Sequence, residues 1–268
     1  MHPRLCISQI SSWSWSVEQD LDFYARNDVH TVGVSLRKLD AEGLTGPSRL
    51  IKDAALEVAD LIGVGPLALD QPDEWPHQQA RLLAAVDLAD HLGAGCLVVT
   101  TGPAGRLTWE EAALAFGEAT VETRARAAER GVVLAMEHTN SLRADVGFVH
   151  TLRDAIDLAR HLGIGVCMEI NACWGERDLA TTIRDGVDVV RLVQVSDYAV
   201  GTTTTPDRLV PGDGDIPLER IVGQVLEAGY EGFFDLELVG PHIDEEGYES
   251  AITRSIEYLD RLLRELDT

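Results

Sequence analysis

The sequence predicts an α/β fold, a closed (β/α)8 TIM barrel forming one domain over residues 1–268, and three observations predict it. The first is an internal repeat. VADLIGVGPLAL (58–69), LADHLGAGCLVV (88–99) and LARHLGIGVCME (158–169) each read as a helix end, a Gly-x-Gly and a short apolar strand. Looser copies stand at AAERGVVLAME (127–137) and LEAGYEGFFDLE (226–237). The second is alternation, with apolar strand-like runs between amphipathic helical segments, as in a parallel sheet covered by helices. The third is length: 268 residues accommodate eight such units, which favours a closed barrel over an open doubly wound sheet.

In chain order, strands are expected near 5–10, 31–35, 64–69, 95–100, 132–137, 165–170, 189–195 and 232–238. Helix starts are marked by residues that cap free N–H groups: Ser16 before VEQDLDFYARN, Thr108 before WEEAALAFGEATVETRARAAER, and Asp178 before LATTIRD. His91 and His161 fall in last helical turns before glycine, where a positive side chain suits the helix dipole. The Pro211-Gly-Asp-Gly-Asp run reads as a turn and cap into the next helix. There is no G-x-G-x-x-G after the first strand and no P-loop, which argues against a dinucleotide or nucleotide fold. No composition break suggests a second domain.

Composition narrows the function. Lys+Arg 22 against Asp+Glu 45 gives a net charge of −23, a surface that repels phosphate backbones and anionic membranes. Partners are therefore expected to exclude nucleic acid and membrane; a homo-oligomer is left open. With no long apolar run and no signal-peptide order at MHPRLCISQI, a cytoplasmic location is expected. The four cysteines lack C-x-x-C spacing; Cys6, Cys96 and Cys167 lie in apolar strand-like runs and Cys173 in a loop. Only Lys38 and Lys52 are present, and Lys52 falls in an early helix, so lysine-imine chemistry is disfavoured.

Chelating side chains recur at even offsets from helix-ending glycines. Glu137 follows Gly131 by six residues, Glu169 follows Gly163 by six, Gln194 follows Gly186 by eight, and Glu237 follows Gly229 by eight. Strand side chains alternate faces with period two, so all four are expected to point the same way. Barrel active sites lie at the C-terminal mouth, where these oxygens would converge and repel one another without a cation. Such a donor set suits Mg²⁺, Mn²⁺ or Ca²⁺ better than Zn²⁺.

The strand ends LAMEHTN, CMEINACW, LVQVSDYAVG and FDLELVGP, with the linking PGDGDIPLERIVGQVLEAGYEGFF, resemble the xylose-isomerase-like sugar (phosphate) isomerase/epimerase superfamily over roughly 1–265. The resemblance implies a divalent metal, often Mn²⁺, held at the positions of Glu137, Glu169, Gln194 and Glu237. It also implies that Glu137 and Glu237 exchange protons with the substrate. The sequence departs from the family pattern at three places: Glu169 replaces an Asp, Gln194 replaces a His, and Ala172 stands where a His is common.

Substrate contacts are expected from Trp13 and Trp15 after the first strand, Trp174 after the sixth, His138, Asp197 of the Q-x-x-D element, and His242. Aromatic faces suit sugar rings. The loop after strand seven carries Asp207, Asp213 and Asp215 with a single Arg208, a poor setting for phosphate, so a polyol, keto-sugar or glycoside is expected. Three outcomes stay open: a metal-dependent isomerase or epimerase, a lyase or dehydratase on the same site, and a non-catalytic ligand-binding homologue. An apurinic endonuclease is disfavoured by the charge.

Overall fold

The computed structural model describes residues 1–266. Eight parallel strands close into a barrel in sequence order: β1 Leu5–Ser8, β2 Thr31–Ser35, β3 Glu57–Val64, β4 Cys96–Thr100, β5 Leu134–Glu137, β6 Gly165–Glu169, β7 Val190–Val195 and β8 Phe233–Leu236. The helical layer comprises α1 Val17–Arg26, α2 Leu36–Ala41, α3 Thr45–Asp53, α4 Trp75–Leu92, α5 Trp109–Ala119, α6 Val121–Arg130, α7 Leu152–Leu162, α8 Ile170–Cys173, α9 Leu179–Gly186, α10 Leu218–Glu227, α11 Pro241–Glu246 and α12 Tyr248–Leu266. Among the described residues no helix is long and apolar enough to cross a membrane.

Strand parity divides the core in two. One face of the strands joins the helices in the main apolar cluster, which includes Ile7, Leu61, Leu97, Met136 and Phe234. The other face fills the barrel interior with a small cluster of Ile62, Cys96, Val98, Ala135, Cys167 and Leu192. Interior positions nearer the strand C-termini are polar, and these build the mouth.

The expected caps hold at two of three helices. Ser16 and Thr108 each form a capping box, with Gln19 and Glu111. Asp178 begins α9 but has φ 59 and makes no side-chain cap. The long helix expected after Thr108 is two, broken at Thr120, whose hydroxyl donates back to the Phe116 carbonyl. The third strand needs a correction. VADLIGV is the strand itself, not a helix end, and α3 finishes earlier; Ala55, with φ 54, makes the turn that glycine makes elsewhere. Cys173 also departs from expectation, since it lies buried in α8 and not in a loop.

Candidate active site

Strands β5 to β8 are neighbours, and their C-terminal ends place the four chelating side chains together. Glu137 ends β5, Glu169 ends β6, Gln194 is the penultimate residue of β7, and Glu237 follows β8 directly. Glu169 and Gln194 are register partners. Gly131, Gly163 and Gly229 adopt positive φ, as their role before the strand requires. Gly186 does not; it is the last residue of α9, and a Cβ there would meet Ile156 Cδ1 at 2.1 Å. Gln194 still faces the barrel interior, on the same strand face as Leu192 of the interior cluster.

All four side chains are buried. Glu137, Glu169 and Glu237 line one cavity of about 220 Å³ at the mouth. Gln194 sits behind them, its Nε2 donating to Glu237 Oε2. Burial, reinforced by the charges of Glu237 and Glu169, raises the Glu137 carboxyl well above the usual range. Burial likewise pushes Glu169 up to about 7, against the opposing pull of Arg208.

A cation already stands among these acids. Arg208 Nη2 lies 2.5 Å from Glu169 Oε2 and 3.3 Å from Glu237 Oε1, and Nη1 donates to the Glu237 carbonyl at 3.1 Å. Burial opposes its charge, but the fields of Glu169, Glu237 and Glu137 outweigh it and raise its pKa. Sequence reasoning noted Arg208 only as a lone base in an acidic loop. No local signal marks it, because it sits on a segment held to the end of β7 by paired bonds between Asp197 and Leu209.

The expected substrate residues divide. Trp13 lines the mouth cavity and is 47% exposed. The others do not line it. Trp15 packs on Phe23 and Tyr248, with ring centroids 5.6 and 5.8 Å away, and Trp174 leans on the main core. His138 points to the opposite strand face, where its Nε2 accepts the Glu169 N–H at 3.3 Å; burial lowers its pKa to about 3, so it stays neutral. Its role is to hold the end of β6. His242 is an exposed partner of Asp207 at 2.8 Å. The Asp197 carboxylate is spent on the backbone, accepting from Tyr198, Gly212, Gly214 and Ile216 at 2.8–3.1 Å. It therefore organises the Pro-Gly-Asp-Gly-Asp turn, and Asp215 does not cap α10, which begins after Pro217. Lys38 is likewise committed, in a buried pair with Asp20 at 2.6 Å. Arg37, Arg143, Asn171 and Tyr198 line the cavity and were not expected.

The donors are of the chemical type that a hard divalent ion takes. Gln194 Oε1 is buried without a hydrogen-bond partner, and Glu169 Oε2 meets Arg208 as an ion pair without hydrogen-bond alignment. One carboxylate oxygen and one amide oxygen thus remain buried without a hydrogen-bond partner, and oxygen donors are the ligand type that Mg²⁺ and Mn²⁺ prefer.

The fold has known counterparts. The family model described as a xylose isomerase-like TIM barrel matches residues 25–262. Protein SMc04130 from Sinorhizobium meliloti 1021 is similar in structure with a TM-score of 0.87 at 24% identity, over 97% of this chain and 98% of that one. An IOLI protein with a bound zinc atom superposes with a TM-score of 0.82 at 15% identity, over 98% and 99%. D-psicose 3-epimerase with D-tagatose, from Clostridium cellulolyticum H10, superposes with 0.76 at 14% identity, over 98% and 99%. No curated protein matches by sequence.

Proposed function

Because this chain belongs to the family of xylose isomerase-like TIM barrels, we propose that it is a metal-dependent isomerase or epimerase of an unphosphorylated, carbohydrate-like carbonyl compound. The observation that carries this reading is the convergence of Glu137, Glu169 and Glu237 on one cavity, with Gln194 bonded behind them. Glu137, Glu169, Glu237 and Gln194 through Oε1 would hold Mn²⁺ or Mg²⁺. Bound there, the ion supplies electrophilic polarisation of a substrate carbonyl. The zinc of the IOLI protein and the sugar of D-psicose 3-epimerase, on the same fold, agree with this assignment.

The residues of the chain supply the proton movements. Glu237 accepts the Gln194 amide N–H and faces Arg208, which orient it to serve as the base that removes a proton from the carbon next to the carbonyl. Glu137, whose carboxyl burial raises well above the usual range, returns a proton. Two carboxyl groups in unlike surroundings are the usual division of acid and base work. Return to the same carbon gives the epimer; return to the former carbonyl carbon gives the isomer. Trp13 offers an aromatic face for the sugar ring at the cavity edge.

The test is incubation of the Mn²⁺-loaded protein with a panel of unphosphorylated ketohexoses, D-tagatose among them, in heavy water. The reading expects an isomeric sugar carrying solvent deuterium at one carbon. An unsaturated or cleaved product would assign a lyase instead, and no deuterium in any sugar would count against proton transfer at this site.

A further inference from the structure

Beneath the mouth the barrel interior holds a second group of acids that the proposed chemistry does not use. Asp235 on β8, Cys6 on β1 and Asp60 on β3 are fully buried, and one potential ligand atom from each lies within 4.8 Å of the others. The strand register explains the meeting. Cys6 is paired with Asp235, and Gly33 on β2 with Asp60, so the three face the interior across four adjacent strands. Asp235 precedes Glu237 by two residues, placing the group about 6–7 Å deeper along the strand direction than the mouth carboxylates.

Two further observations point to an occupant. All four carboxylate oxygens of Asp60 and Asp235 lack a nitrogen or oxygen hydrogen-bond donor, and the weakly donating Cys6 thiol is the polar group that faces Asp235. Gly33 also lets both carboxylates approach the β2 backbone closely. A Cβ there would lie 2.7 Å from Asp60 Oδ1 and 3.1 Å from Asp235 Oδ1. Glycine at this position serves room, since its φ lies outside the left-handed range. Buried carboxylates are ordinarily paired or bound to metal. A single shared proton would bridge one pair of oxygens and leave the other two and the thiol unmatched, whereas one cation engages an oxygen from each acid and the sulfur together.

We propose that Cys6, Asp60 and Asp235 form a second divalent-cation site inside the barrel, separate from the mouth. Its mixed sulfur and oxygen donors select an ion of the Zn²⁺ type, in contrast to the all-oxygen mouth. The ion would tie β8, β1 and β3 together around Gly33.

The experiment measures metal content and the Co²⁺ spectrum of a Glu137→Gln/Glu169→Gln protein, which disables the mouth, produced with Zn²⁺ or Co²⁺ in the growth medium. One equivalent of Zn²⁺ retained through dialysis, and a thiolate-to-cobalt charge-transfer band in the Co²⁺ form, are expected. Adding Cys6→Ala should abolish the band, and adding Asp60→Asn should weaken retention at least tenfold. The wild-type protein provides a reading that no variant's folding affects, since the band must appear there also. Absence of the band from wild type, or a retained ion indifferent to Cys6→Ala and Asp60→Asn, overturns the site and leaves a carboxyl pair sharing a proton.

Discussion

Arg208 sets the electrostatics of the mouth. Its guanidinium balances Glu169 and Glu237, and it competes for the same oxygens with any divalent ion. At an effective dielectric constant near 20, two charges 4 Å apart interact by roughly 4 kcal/mol, so the competition is strong. Replacing Arg208 by Met should tighten Mn²⁺ binding by about tenfold or more, while turnover falls because Glu237 loses a partner that orients it. Calorimetric titration of Mn²⁺ together with kcat on the active sugar checks both; weaker metal binding in Arg208→Met would show that the arginine supports the ion. Arg208 was the least legible of the site residues. Nothing local marks it, because its position depends on long-range bonds that clip Asp197 to Leu209 and Arg208 to Val239. The placement of Glu137, Glu169, Gln194 and Glu237 at the strand ends was legible because it follows from strand parity. Asp197 shows the limit of that logic: a strand-end acid of the right type is used up by four backbone N–H groups from a loop whose path parity does not describe.

Among the elements, the join between β1, α1 and α2 rests on a buried polar network. Asp20 of α1 accepts from Lys38 at 2.6 Å, Ser12 at 2.6 Å and Gln9 at 3.1 Å, and Gln9 in turn accepts the Ser35 N–H at the end of β2. Removing one partner of such a pair leaves an uncompensated buried charge, so Lys38→Met should cost about 3–5 kcal/mol of stability, read by denaturant unfolding. Burial raises Asp20 from 3.8 to about 6, with Lys38 and Ser12 pulling the other way. The folded state therefore holds a proton that the unfolded state has released between those values, and the stability from this group is lost as pH rises through about 6. The Tm difference between wild type and Asp20→Asn should change across pH 4–7 in that direction; a constant difference would contradict it. Elements were legible wherever glycine ended a helix. They were misread at β3, where Ala55 takes the positive φ and the Gly63-Val64-Gly65 run that reads as a helix end falls at the end of the strand.

For the molecule as a whole, the barrel answered to repeat, alternation and length, which are global properties that survive local misreadings such as the displaced third strand. Charge is the other global property. At −23 the folded chain repels itself, so Tm should rise as NaCl increases from about 0.01 to 0.2 M, where the screening length shrinks from about 30 Å to under 10 Å. The same charge should prevent retention of a duplex carrying an abasic site at physiological salt. Gel-shift and cleavage assays check this, and specific nicking at the abasic site would assign a different substrate class. The proton-transfer pair is where the account is most exposed. Both glutamates reach the cavity from different strands, and general acid–base catalysis typically contributes 10²–10⁴-fold. The deciding measurement is kcat of Glu137→Gln and Glu237→Gln on the sugar that wild type converts, with circular dichroism to verify the fold. A loss of at least about 100-fold in each, with the barrel intact, is the expected result; wild-type turnover in either variant would contradict the account.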